Sequence, residues 1–163
     1  MINNTRIIIA DDMEPILLYL ENVISQVPEF KVVGKTQNGE ELVDLVASLK
    51  PDLVITDEEM PKLNGLQAIE KLNELHVKAK YIVITGNNCI MTSKARNMGV
   101  LRIIKKPIVD DKKFIEQIKQ ALVEQDKNEI LKDRIEVALR PSNKSLQKEC
   151  IIKKILNKIF KSK

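Results

Sequence analysis

No uninterrupted apolar run in this 163-residue sequence approaches the roughly 20 residues needed to span a bilayer, so a membrane span is not expected. Asp11, Asp12 and Glu14 occupy the stretch where a secretory signal needs an apolar core. Export is therefore not expected, and the cytoplasm is the default compartment. Only two cysteines are present, Cys89 and Cys150, and they lack metal-ligand spacing. They read as buried or incidental thiols, which excludes a disulfide framework from expectation. Glycine and proline are both absent from Asp111 to Arg140, so a long helix can form there.

What is there is a soluble globular composition, 44% hydrophobic and 31% charged, long enough for one domain and an appendage. The net charge of +4 is unevenly placed. From Pro141 onward seven lysines face the single acid Glu149, a local +6, which leaves residues 1–140 at −2. A nucleic-acid argument from overall charge fails for the main domain.

Short apolar runs alternate with helical periodicity along that main domain. Strands are expected at Arg6–Ala10, Lys31–Thr36, Asp52–Asp57, Tyr81–Thr85 and Leu101–Lys105. Helices are expected from Pro15 to about Val27, Glu40–Leu49, Gly65 to about Leu75, Cys89–Met98, and Asp111 to about Val123. Five such alternations predict a doubly wound α/β fold, a five-stranded parallel sheet with helices on both faces and right-handed crossovers. Strands one, three, four and five are nearly continuous in apolar character, as buried parallel strands are.

The polar residues at the carboxyl ends of these strands carry the chemistry. Asp11 and Asp12 follow strand one, Asp57 ends strand three, Thr85 ends strand four and Lys106 follows strand five. In a parallel sheet those ends share one edge, the usual address of a ligand. Each residue alone has a bland explanation, such as a turn-forming Asp, a strand Thr or a solvated Lys. Together they point to a site. Three carboxylates repel one another unless a cation joins them, and a hard ion such as Mg²⁺ (or Mn²⁺) suits oxygen ligands. One carboxylate can then act as nucleophile toward a phosphoryl group, with Lys106 and Thr85 offering donors to its oxygens.

On these residues the chain resembles the receiver domains of bacterial two-component response regulators, over about residues 5–125. The matching features are Asp11-Asp12, Asn38-Gly39, Asp57-Glu58-Glu59-Met60-Pro61 followed by Asn64-Gly65, Thr85-Gly86 and Lys106-Pro107. The resemblance implies the flavodoxin-like strand order 2-1-3-4-5. It implies that Asp57 is phosphorylated by a sensor histidine kinase or phosphotransfer protein. Asp12 would ligate Mg²⁺ directly and Asp11 mostly through water, with Asp57 and the backbone carbonyl of Glu59 as further ligands. Thr85 would swing toward the phosphoryl group and Lys106 would contact it. The surface of helix four, strand five and helix five would then switch, and it is a candidate homodimer face. Such a domain assists its own phosphotransfer and dephosphorylation and is not a metabolic enzyme. One departure stands out, because the position where many receivers carry a switch aromatic is Ile103. Repacking of Ile103 is expected there in place of a ring flip.

Other doubly wound readings fit less well. A haloacid-dehalogenase-type phosphatase resembles Asp-x-Asp, whereas Glu59 and Pro61 follow Asp57 here. A flavodoxin-like electron carrier needs a phosphate-cradling loop after strand one, where Asp11-Asp12-Met13-Glu14 would repel phosphate. A degenerate receiver that only docks a partner typically lacks one of the five residues.

The expected organisation is a receiver at residues 1–125 and, at 126–163, a short α-helical extension or the start of an output domain. The polar run Gln125–Glu129 interrupts the apolar stripe and predicts a break or hinge in helix five. Near the end, Ile151, Ile152, Ile155, Leu156, Ile159 and Phe160 form one stripe, with Lys148, Lys153, Lys154, Lys158 and Lys161 mostly opposite. That helix either packs on the rest of the chain or contacts nucleic acid, an anionic surface or a partner's groove. The outputs to be weighed are transcription regulation through DNA binding and protein docking by a stand-alone adaptor.

Overall fold

A computed structural model describes residues 4–86 and 92–139. The strands are β1 (Thr5–Ala10), β2 (Phe30–Thr36), β3 (Leu53–Asp57), β4 (Lys80–Thr85) and β5 (Val100–Lys105). The helices are α1 (Glu14–Ser25), α2 (Gly39–Leu49), α3 (Gly65–Glu74), α4 (Thr92–Asn97) and α5 (Asp111–Leu139). All four strand pairings are parallel and the order is β2-β1-β3-β4-β5. The expected fold class and strand order are both observed. Residues 89–91 of the expected fourth helix lie outside the described residues, as do Cys89, Cys150 and the whole lysine-rich segment with Lys153, Lys154, Lys158 and Lys161.

The core follows from the two-residue period of the strands. Ile8, Ala10, Val54, Tyr81 and Val83 pack with Leu42, Val43 and Val46 of α2 and Ala68, Ile69 and Leu72 of α3. The alternate residues Ile7, Ile9, Leu53, Ile55, Ile82 and Ile84 are buried on the other side, where Leu17, Leu20 and Ile24 of α1 and Phe114 and Ile118 of α5 supply their own buried side chains. Each such aliphatic side chain contributes about 1.5–3 kcal/mol on burial. Both sheet faces are therefore covered, as the apolar continuity of the central strands requires.

Local signals set where the helices begin. Pro15 sits in the first turn of α1, where its missing N–H costs nothing. The Asn38 side chain caps α2 by accepting from the Glu41 N–H at 3.0 Å. Asn64 caps α3 in a reciprocal box, accepting from the Gln67 N–H at 2.8 Å while Gln67 accepts from the Asn64 N–H at 3.0 Å. Both Asn-Gly pairs thus open helices, and the glycine matters for a second reason. A Cβ on Gly39 would fall on the carbonyl oxygen of Leu63, and one on Gly65 on the carbonyl oxygen of Asp57.

The expected break at Gln125–Glu129 is not there, because α5 runs unbroken for 29 residues. The run is polar but made largely of helix-compatible residues, and Gln125 donates to Glu129 at 3.0 Å one turn on. What the polar run marks is the end of burial. Ala121 is the last buried residue of α5 among those described, and the chain divides into compact units Met1–Ala121 and Leu122–Lys163. No described helix is long and apolar enough to cross a membrane.

Candidate functional site

Register carries the strand-end residues to one level. Ala10 pairs with Thr56, Asp57 with Ile84, and Thr85 with Lys105, so the residues following β1, ending β3 and β4, and following β5 line the same sheet edge. Carboxylate oxygens of Asp11, Asp12 and Asp57 all lie within 4.8 Å of one another. Asp11 is fully buried and Asp57 is 4% exposed, while Asp12 faces solvent. The Lys106 ammonium closes the group, donating to Asp11 Oδ2 and to Asp57 Oδ2 at 2.8 Å each.

The arrangement is held from behind. Asp11 also accepts the Met13 N–H at 3.0 Å, which fixes the acidic turn before α1. Beyond Asp57, the Glu58 N–H donates to the Ile84 carbonyl and the Glu58 carbonyl accepts from the Gly65 N–H, both at 2.9 Å. The Lys106 N–H donates to the Thr85 carbonyl at 2.7 Å, tying the end of β5 to the end of β4. The Lys106–Pro107 peptide bond is cis. Tyr19 of α1 donates to Asp111 at 2.5 Å, and burial followed by that hydrogen bond pushes its hydroxyl up to about 12. An apolar groove lined by Ile16, Tyr19, Lys106, Pro107 and Ile108 opens beside the cluster.

Electrostatics follow from this geometry. Burial pushes the Asp57 carboxyl above its usual range, opposed by the Lys106 hydrogen bond and charge and reinforced by the charge of Asp11. Burial alone would lower the Lys106 ammonium, yet its hydrogen bonds and charge contacts with Asp11 and Asp57 leave it raised. Three carboxylates around one ammonium leave two negative charges, which one divalent cation balances. The three acids offer oxygen ligands within 4.8 Å of one another, the donor type that a hard divalent ion takes. The residues present fit a hard divalent ion.

Of the residues expected from the sequence, Asp11, Asp12, Asp57 and Lys106 converge directly. Glu59 lies on the exposed loop after β3. Thr85 is buried at the same edge, but its hydroxyl donates to Glu58 Oε2 at 2.7 Å. Ile103 pairs with Val83 and packs, partly buried, against the core on the α2–α3 side. Two participants escaped the sequence reading. Gly65 permits the close approach behind Asp57, a need visible in the sequence only as an Asn-Gly pair. Glu58 gave no separate signal, being one of two adjacent glutamates.

A doubly wound parallel sheet with a lysine-closed acidic cluster beyond its strand ends defines the class, an α/β domain whose candidate site lies at the carboxyl edge of its sheet. The response regulator receiver domain model matches residues 7–119, and the chain belongs to that family. It is a receiver domain of two-component signalling. It is 35% identical over 82 residues to the nitrate/nitrite response regulator protein NarL of Escherichia coli K12, covering 50% of this chain and 38% of NarL. It is 31% identical over 106 residues to a protein-glutamate methylesterase/protein-glutamine glutaminase of Geobacter metallireducens, covering 63% of this chain and 30% of that protein. The chain thus spans well under half the length of these curated relatives. Among solved structures, the response regulator domain of Thermotoga maritima CheB is 28% identical with a TM-score of 0.65, covering 72% of this chain and 96% of that one. A LuxR-family DNA-binding response regulator from Staphylococcus aureus is 25% identical with a TM-score of 0.66, covering 72% and 98%.

Proposed function

We propose that Asp57 accepts a phosphoryl group from a sensor histidine kinase or phosphotransfer protein, in a step needing Mg²⁺ or Mn²⁺, and that the modified domain signals through the α4–β5–α5 face. The observation that carries this is Lys106 bridging the buried Asp11 and Asp57 beside the exposed Asp12. Asp11, Asp12, Asp57 and the backbone carbonyl of Glu59 would hold the ion. When bound, the ion draws negative charge from the phosphoryl oxygens.

The chain's own residues supply the rest. A carboxylate oxygen of Asp57 attacks phosphorus, the phosphorus–nitrogen bond of the donor phosphohistidine breaks, and its electron pair leaves on the imidazole, which takes a proton from solvent. Lys106 carries three donors and contacts two carboxylates, so it can turn one N–H to a phosphoryl oxygen while keeping an acid in place. Thr85 gives its hydroxyl to another of those oxygens. The groove of Ile16, Tyr19, Pro107 and Ile108, which shares Lys106, is the side from which the donor approaches. The added charge draws Thr85 inward, and Ile103 repacks under β5.

Residues 1–125 form the receiver in this reading, and 126–163 a helical extension or the start of an output domain. Transcription control is the output we infer, supported by the likeness to NarL and to a LuxR-family DNA-binding regulator. Lys153, Lys154, Lys158 and Lys161 would then face nucleic acid or a partner. The second reading is a stand-alone docking adaptor, which the likeness to a protein-glutamate methylesterase leaves open, since receivers of this kind are not confined to DNA-binding proteins. Salt-dependent DNA binding by the intact gene product supports the first, and phosphorylation-dependent capture of a protein without it supports the second. Either suits the cytoplasm.

The deciding experiment is incubation with acetyl phosphate and Mg²⁺ followed by intact mass measurement. Wild type should gain one hydroxylamine-labile phosphoryl group and Asp57→Asn none. No gain, or an equal gain in the variant, overturns the assignment.

A further inference from the structure

We infer that Glu58 is a positioning residue that holds the Thr85 hydroxyl away from Asp57 until a phosphoryl group arrives, so that the switch works by exchange of one hydrogen bond between two anions. The inference rests on the reading of Asp57 as phosphoacceptor and assigns the resting partner of Thr85.

Glu58 is not a loosely placed surface acid. Its N–H is given to Ile84 and its carbonyl takes the Gly65 N–H, so its backbone is pinned between the end of β4 and the start of α3. The side chain is half-buried and meets Thr85 at 2.7 Å. Thr85 itself is 1% exposed, which leaves its hydroxyl little freedom to trade this partner for water. A hydroxyl has one proton to donate, and a bond to a carboxylate is roughly twice as strong as one to a neutral acceptor. Thr85 therefore cannot serve a phosphoryl oxygen on Asp57 without releasing Glu58.

The same charges make the release follow modification. A phosphoryl group on Asp57 places about two negative charges one residue away from Glu58, and repulsion drives the glutamate off as the new acceptor draws the hydroxyl in. Before modification, Glu58 penalises the inward position of Thr85. Its presence thus lowers spontaneous activation and lowers affinity for anything that mimics the phosphoryl group.

The test uses beryllofluoride with Mg²⁺ as the phosphoryl mimic, titrated against the full chain. Glu58→Ala should bind it roughly tenfold more tightly, the scale set by losing a charge-assisted hydrogen bond in the resting state. Glu58→Gln, which keeps an acceptor and the side-chain volume, should fall between, and it guards against misfolding of the alanine variant. The gain should vanish in a Thr85→Val background, since the effect passes through that hydroxyl. Without metal or mimic, the Thr85 methyl resonance should shift in Glu58→Ala. An unchanged affinity in Glu58→Ala, or an equal gain in the Thr85→Val background, marks a general charge effect and overturns the inference alone. Failure of wild type to bind beryllofluoride overturns it together with the Asp57 reading, and the metal-free methyl signal then shows whether the resting hydrogen bond exists.

Discussion

Ala121 separates two stretches of one helix that hold their shape for different reasons. Up to it, α5 buries Phe114, Ile118 and Ala121. After it, no described side chain is buried, and Val123, Ile130 and Val137 are all more than half exposed. The first stretch is helical because a sheet face needs covering. The second is helical because its residues favour that backbone and pair along it, as Gln125 and Glu129 do. Hydrophobic periodicity therefore reports packing, and its interruption need not report a break in the chain's path.

The sharpest way to break this contrast is a cavity in the packed region. Ile55 is fully buried in the central strand. Ile55→Ala should lower stability by about 3 kcal/mol, read from urea unfolding. A loss under 1 kcal/mol would mean that the sheet core is far looser than its burial indicates. Next comes the seam behind the site. Gly65→Ala places a methyl group on the Asp57 carbonyl, and overpacking against backbone should cost about 1–3 kcal/mol. It should also slow phosphoryl uptake from acetyl phosphate, because Asp57 and Glu58 shift together. A variant as stable and as fast as wild type would show that the β3–α3 loop yields freely.

These two sites also mark what was legible beforehand. The five strands and the meeting of Asp11, Asp12, Asp57 and Lys106 at one sheet edge, with Thr85 at the same level, follow from apolar runs that end in polar residues, whereas the strand order follows only from the family resemblance. A strand buried on both faces leaves few alternatives for where its last residue goes. What stayed hidden depends on contacts between segments distant in sequence. Nothing in Thr85 or Glu58 alone says that they bond to each other across adjacent strand ends, or that Gly65 must lack a side chain because Asp57 lies against it. The continuity of α5 is equally invisible in the pattern, because an apolar stripe reports burial and this helix continues past Ala121, its last buried residue among those described.

A smaller effect separates the site from the core around it. Burial, chiefly, holds the Asp57 carboxyl above its ordinary range. A raised folded value means that the folded chain binds this proton more tightly than the unfolded chain does. The stability the group contributes is therefore full below the ordinary carboxylate range and is lost as pH rises through the folded value. At neutral pH and without metal, ionised Asp57 works against the fold. Asp57→Asn should raise the urea midpoint there, and the difference should shrink as pH falls into the carboxylate range. An unchanged or lowered midpoint at neutral pH would show that the Lys106 contact outweighs burial.

The least effect is expected where helix persists without a core. Ile130 is 59% exposed, so Ile130→Ala removes little area from contact and exchanges a β-branched residue for the strongest helix former. Lost contact and gained propensity oppose each other, and the net change should stay within about 0.5 kcal/mol. The midpoint and the helical circular dichroism signal should both match wild type. A loss near that of Ile55→Ala would mean that the exposed stripe of α5 is covered in solution by another surface. The two halves of the helix would then differ only in what covers them, and the contrast drawn at Ala121 would fall.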